Sequence, residues 1–260
     1  TGKLLQGGDL RAALSAPGGS AALAPTTLPA TTAGATLERF VRSMPQSVDL
    51  VFVALHGGDG ENGTLQAVLD LAQIPYTGSG VLASALAMDK AMSKRIFVQE
   101  GIPTPEWVER WAPEDPARPW HPELSDEDLA RLGGFPIVVK PNDQGSTVGV
   151  TVVPGRTQLR DAFLAARRYG RLALVERYIP GREVTVECVA IGDTPHALVV
   201  HDKVGITERE ATVFEDALVT PPVRFTKEEI EEMKDYALAV LKAVGLRHSF
   251  AHVELRYEDG

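Results

Sequence analysis

The chain has 260 residues, 44% of them hydrophobic, enough to bury a substantial core in two domains or three small ones. Its formal net charge of −9, from 35 acidic and 26 basic residues, argues against broad nucleic-acid binding and requires any anion site to gather local lysines against the overall field. A single cysteine, Cys188, excludes an internal disulfide, and no apolar run approaches the roughly 20 residues of a membrane helix, so a cytoplasmic protein off the membrane is expected.

Residues 12–35 are rich in Ala, Pro, Thr and Gly and show no period, whereas residues 37–44 predict a short amphipathic helix. No strong buried strand precedes Val48, so the start reads as cut into a fold. Residues 49–55 then predict a mostly buried strand, running into a loop with four glycines among residues 57–63 and a helical pattern over 65–72. Strand, glycine-rich turn and helix is how open α/β sheets place ligands at strand ends. His56 stands at that strand end, where its ring either enters the crevice or bonds its own loop. A short strand and turn at 74–80 leads to one helical stretch over 81–99, ended by Pro103 and Pro105. On that stretch Lys90 and Lys94 lie one turn apart, a solvated pair unless an anion faces them.

Residues 112–132 read as a connector with a helix near 126–132. Next comes GGFPIVVKPNDQGSTVGV, residues 133–150, the most informative stretch of the chain. An apolar strand delivers Lys140 and breaks at Pro141; a polar turn then reaches Gly145-Ser146-Thr147, and a second apolar run follows over 148–153. Glycine lets backbone N–H groups approach a polyanion, hydroxyls add donors, and the lysine adds a compact positive charge. A surface hairpin with a solvated lysine has the same pattern, and the spacing does not fit a P-loop, whose lysine follows its glycines.

A helix is predicted over 157–168, then a strand over 172–179 that turns charged at Glu176-Arg177, either a nucleoside slot or a solvated strand end. Two more strands are predicted, over 184–191, with Cys188 in the core, and over 196–203. Residues 204–219 read as a flexible loop, a plausible lid. A helix over 226–244 has Thr226 as its cap, acids in its first turns and Gly245 as its stop. Residues 249–257 alternate through Phe250, His252, Glu254 and Arg256, and the chain stops on a turn, so its end also reads as cut.

The motifs LHGGDGENGTLQ (55–66), IPYTGSG (74–80), SALAMDKAMSK (84–94), the 133–150 hairpin and LVERYIPGRE (174–183) stand in one order. Together they resemble the D-alanine-D-alanine ligase family of ATP-grasp enzymes over roughly residues 49–190, and residues 2–5 and 8–10 look like the segment after that family's first strand. The resemblance implies an α/β ATP-grasp fold: a partial open α/β N-terminal domain (1–88), a small central domain (89–175) and a C-terminal α+β domain (176–260). It implies ATP and Mg²⁺ as cofactors and small amino acids as substrates, and it leaves room for a homodimer. Lys90 and Lys140 resemble the lysines that hold the ATP phosphates, and Gly145, Ser146 and Thr147 the loop that closes on them, with Ser146 also orienting the amino acids. Glu176 and Arg177 resemble the adenine-side pair, Glu183 the ribose acid, His56 the histidine near the first amino acid and Glu254 the first Mg²⁺ ligand.

His252 stands where the family has an arginine that steadies the developing oxyanion. The family's lid lysine-tyrosine pair is absent, with His201 in that area, and the HVEL pattern at 252–255 looks more like ATP-grasp ligases acting on L-amino acids or peptides. The resemblance thus implies a carboxylate-amine ligase working through an acyl phosphate, D-alanine-D-alanine ligase or a relative. The alternatives are a ligase for other amino acids or peptides and a nucleotide binder that has lost ligation.

Overall fold

The structure, a computed structural model, describes residues 48–258 apart from Pro116, 205–206, 210–211 and 215–216; the side chains of 205–216 are also outside the description. The helix expected over 37–44 and the readings of residues 2–10 and 12–35 lie outside the described residues.

The strand expected to be mostly buried over 49–55 is not: it makes one parallel bridge, Val51 to Tyr76, and alternates inward and outward. Val51, Val53 and Leu55 pack on Leu65 and Leu69 of helix α1 (Thr64–Leu71), while Phe52 is 71% exposed. A strand is buried on both faces only between two layers, and among the described residues only one face of this segment is covered. The helical stretch expected over 81–99 is two helices, α2 (Val81–Met88) and α3 (Lys90–Gln99). Asp89 breaks it: its backbone is extended and its carboxylate accepts the Met92 N–H at 2.9 Å, the action of an N-cap.

A four-stranded antiparallel sheet follows, in the order β1 (Trp107–Trp111), β4 (Leu172–Arg177), β2 (Ile137–Pro141) and β3 (Thr151–Val153). Helix α4 (Asp126–Arg131) precedes β2, and helix α5 (Leu159–Arg167) crosses the sheet, burying Phe163 against Ile137, Val139, Val153 and Val175. The second apolar run of the hairpin is strand only over Thr151–Val153. Before it, Val148 N–H donates to Gly145 O at 3.1 Å and Val150 N–H to Thr147 O at 3.1 Å, so local turns hold 145–150 out of the ladder.

The second large sheet runs β10 (Ser249–Tyr257), β5 (Arg182–Ile191), β6 (Thr194–Val204), β9 (Ala217–Val219), again antiparallel. One face packs Val184, Val186, Cys188 and Val200 on Met233, Ala237 and Leu241 of helix α6 (Lys227–Ala243); Cys188 is a core residue, as expected. The other face is polar, because the period of two puts Glu183, Glu187, His252, Glu254 and Arg256 opposite the apolar set. Gly181 lets the start of β5 approach the end of β10: a Cβ there would sit 1.9 Å from the Tyr257 carbonyl oxygen.

The stretch expected as a flexible loop over 204–219 instead carries β7 (Thr207–Arg209) paired with β8 (Thr212–Phe214), and β9, which joins β6. Its Thr, Val and Phe content favours strands, a preference hidden by the charged residues between them. Thr226 and Glu229 form a reciprocal capping box at the start of α6, with bonds of 3.2 and 2.6 Å. Thr226→Ala therefore lowers unfolding stability by about 1 kcal/mol in urea, with no change in the folded far-ultraviolet spectrum; an unshifted midpoint contradicts the cap. No helix among the described residues is long and apolar enough to cross a membrane.

Candidate functional site

Two adjacent strands and one helix bring the lysines together. On β2, Lys140 pairs with Leu174 and lies diagonal to Glu176 of β4 on the same sheet face. Its Nζ is 2.7 Å from Glu176 Oε2, and Lys94 Nζ is 3.2 Å from Oε1 of the same carboxylate. Lys94, expected in solvent, is buried, because α3 seats Ala91 on Leu172, Leu174 and Trp107 and so turns the next step of its face inward. Burial pushes the Glu176 carboxyl up, but the Lys140 and Lys94 ammoniums outweigh it and hold it below the usual range.

Lys90 begins α3. Its Nζ donates to the carbonyls of Asn142, at 3.4 Å, and Gln144. Asn142 is buried and ties the loop after β2 to the helix: its Oδ1 accepts Ala91 N–H at 2.8 Å and its carbonyl accepts Lys90 N–H at 3.2 Å. Burial, and then the charge of Lys140, lower the Lys90 pKa from 10.5 to about 8. Between those values the unfolded chain holds more protons, so the cost of burying Lys90 falls as pH rises from about 8 towards 10.5. Anion binding has the opposite sign: an anion beside Lys90 favours its charged form, so affinity falls as pH rises through 8. Binding of inorganic tripolyphosphate, followed by calorimetry, weakens by about tenfold from pH 7 to pH 9, with proton uptake, and Lys90→Arg flattens the profile. A flat wild-type profile rules this out.

The loop beyond Lys140 is a tight turn. Ser146 and Thr147 have φ of 50° and 60°, positive at both central positions of the turn closed by Val148 N–H on Gly145 O. Such turns normally carry Asn and Gly, so hydroxyl residues here are a local strain of the kind that gathers at functional sites. His56 Nε2 lies 3.0 Å from Ser146 Oγ, joining the N-terminal loop to the hairpin tip. Gly149, with φ of 71°, has no room for a side chain: a Cβ would meet the Tyr169 ring at 2.8 Å and Pro141 at 3.1 Å.

The polar face of the second sheet forms another group. Lys203 Nζ is 2.9 Å from Glu183 Oε1 and also bonds Glu254. Arg256 reaches Glu183 Oε2 at 2.9 Å, His252 Nδ1 is 2.6 Å from Glu187 Oε1, and His252 Nε2 is 3.9 Å from Glu254 Oε1. Burial pulls the Lys203 pKa down, yet the bonds to Glu254 and Glu183 prevail and raise it. Arg177 turns away to Glu258, at 3.0 and 3.2 Å, and His201 bonds Thr220. Among the described residues no three His, Cys, Asp or Glu side chains are arranged to hold a metal ion.

The structure thus gathers Lys90, Lys140 and Glu176 in one group and Glu183, His252 and Glu254 in a second, with His56, Ser146 and Thr147 at the hairpin tip. Sequence reasoning missed Lys94, Asn142 and Lys203 as members. The spacing of Lys94 from Lys90 and the position of Lys203 two residues beyond His201 on a strand were visible signals; Asn142 had none beyond its place after Pro141.

A family model described as "D-ala D-ala ligase C-terminus" matches residues 96–259, and one described as "D-ala D-ala ligase N-terminus" matches residues 14–79. The curated D-alanine--D-alanine ligase of Methylibium petroleiphilum is 39% identical over 206 residues, 78% of this chain and 63% of that protein. That of Gloeobacter violaceus is 49% identical over 148 residues, 56% of this chain and 46% of that protein. The chain therefore spans roughly half to two-thirds of the length of these relatives. Among solved structures, the D-alanine--D-alanine ligase from Bacillus anthracis complexed with ATP superposes with a TM-score of 0.68 at 29% identity, covering 85% of this chain and 68% of that one. The VanG D-Ala:D-Ser ligase from Enterococcus faecalis superposes with a TM-score of 0.69 at 29% identity, covering 81% of this chain and 60% of that one.

Proposed function

The chain belongs to the D-alanine-D-alanine ligase family, and we propose that it acts as an ATP-dependent, ADP-forming ligase that joins two molecules of D-alanine through an acyl phosphate. The observation that carries this reading is the lysine cluster: Lys90, bonded to the carbonyls of the loop after β2, and Lys140, at the end of that strand, flank a loop of glycine and hydroxyls, and burial and then the charge of Lys140 lower the Lys90 pKa. Concentrated positive charge with a single shared carboxylate is the complement of a polyphosphate, so the residues fit ATP. In this reading residues 1–88, 89–175 and 176–260 form the N-terminal, central and C-terminal domains, with ATP between the last two.

In the first step a carboxylate oxygen of one amino acid attacks the γ-phosphorus; the bond to the bridging oxygen breaks and ADP leaves. In the second, the amine of the other amino acid attacks the acyl carbon, inorganic phosphate departs with the C–O bond electrons, and the amine gives up a proton. Little covalent work falls to the protein, which positions groups and offsets charge. Lys90 and Lys140 hold the phosphates, and the Gly145-Ser146-Thr147 tip covers them. Ser146 and His56, already hydrogen-bonded, orient the first amino acid. Glu183 holds the nucleoside end, Glu176 offsets the charge of the phosphate lysines, Arg177 is held by Glu258, and His252 faces the developing oxyanion.

For Mg²⁺ the fit is incomplete, since Glu254 is one carboxylate and Lys203 bonds it. A magnesium ion there would be held from the protein by Glu254 and would supply positive charge to offset the transferring phosphoryl group. No step above is routed through it. Phosphate release from ATP should depend on added D-alanine; a panel of D- and L-amino acids that gives no release with Mg²⁺ present refutes the ligase reading. His252, held by Glu187 in the arginine's place, favours a second reading in which the second substrate is another amino acid, and the same panel decides between them.

A further inference from the structure

One buried carboxylate, Glu176, is shared by two ammoniums that differ in freedom. The Lys94 side chain is 6% exposed, and its Nζ donates to Thr104 Oγ1 at 2.8 Å while lying 5.1 Å from the Trp107 ring centroid. It is fixed from three sides: acid, hydroxyl and aromatic face. The Lys140 side chain is 21% exposed, and it stands at the end of β2, beside the Asn142-to-Val150 loop. Trp107 pairs directly across the sheet with Glu176, so the same cross-strand contact that seats the ring also places Lys94 over the acid.

We propose that Lys94 is the permanent counter-ion of Glu176 and so a positioning residue that frees Lys140 to move onto an incoming phosphate. Resting on the reading of Lys90 and Lys140 as a phosphate clamp, this adds a reason why the clamp opens and closes. Glu176 is 7% exposed and cannot be left unpaired without a large desolvation penalty. If Lys140 were its only partner, transfer of that ammonium to a phosphate would strand the carboxylate, and the acid would compete with the ligand for the lysine. With Lys94 always in place, Glu176 stays neutralised when Lys140 departs. Lys94 is not the group that moves, because departure would break its bond to Thr104 and its contact with Trp107 together.

The test is a set of ATP dissociation constants by calorimetry on the full chain, with adenosine as a probe of the nucleoside end and inorganic tripolyphosphate as a probe of the phosphate end. Lys94→Met weakens ATP and tripolyphosphate by about tenfold when Lys140 is present and by less than about twofold in the Lys140→Met background, while adenosine is unchanged. Adding Glu176→Gln to Lys94→Met restores tripolyphosphate affinity to within about threefold of wild type, because a neutral amide no longer holds Lys140. That double variant removes opposite charges together, so it remains informative if Lys94→Met alone does not fold. Additive losses for Lys94→Met and Lys140→Met, or a double variant as weak as Lys140→Met, overturn the proposal and leave Lys94 a structural residue. If Lys140→Met itself binds tripolyphosphate as wild type does, the clamp reading fails instead, and this inference with it.

Discussion

Lys140→Met is expected to lower kcat/KM for ATP by roughly 10²- to 10³-fold, the range seen when one preorganised charge or donor is removed from a transition state. Methionine keeps most of the apolar stem, so the change is mainly the loss of one ammonium. The fold should tolerate it, because Glu176 retains Lys94 at 3.2 Å; the unfolding free energy should move by less than about 1 kcal/mol. Steady-state kinetics with saturating amino acid, together with a urea melt of the same sample, check both halves. A change of less than about fivefold in kcat/KM removes Lys140 from the site, and a large stability loss with it would assign the lysine to the fold instead.

Glu176→Gln should behave in the reverse way, as a stability lesion first. The carboxylate is the common partner of Lys94 and Lys140, and its loss leaves the buried Lys94 ammonium with an uncharged amide oxygen, Thr104, the Trp107 ring and the charge of Glu106. Breaking a buried pair from one side lowers stability by about 3–5 kcal/mol. Lys94 can escape by shedding its proton, which burial already favours, so the deficit shrinks as pH rises. The sign follows from linkage: once the acid is gone, the unfolded state holds the lysine proton more tightly than the folded one. Urea unfolding at pH 7 and pH 9 measures both numbers. A deficit below about 1 kcal/mol at pH 7, or one that grows with pH, would show that the three groups are not coupled as their geometry indicates.

The sequence pointed to many of the elements and to part of the site because those features are local. The strand carrying Lys140, the capped helix after Thr226 and the alternation from Phe250 to Arg256 each follow from neighbours within a few residues. Where reading and structure part, the deciding partner is distant along the chain. Phe52 is apolar and its neighbours predict a buried strand, but burial is a property of the layers on both sides of a strand, and one face here is open. The stretch over 204–219 has no clear period, yet β6 offers an edge on which β9 pairs. Met88-Asp89-Lys90 continues a helical pattern, and Asp89 is seen to interrupt it only once its side chain is found on Met92 N–H.

Lys90 and Lys94 separate the two kinds of information most clearly. By itself the sequence determined that two lysines lie on one helical face after a glycine-rich turn, that a third ends a strand before a polar loop, and that an acid ends a later strand. It could not rank them, since a lysine in water and a lysine in a buried ion pair have the same local surroundings. Tertiary structure decided the ranking: α3 seats Ala91 on β4 and Trp107, which carries Lys94 onto Glu176 and leaves Lys90 at the helix start among the carbonyls of the hairpin loop. The physical reason is that burial and charge pairing are sums over neighbours in space, and Lys94 and Glu176 become neighbours only when helix and sheet are packed.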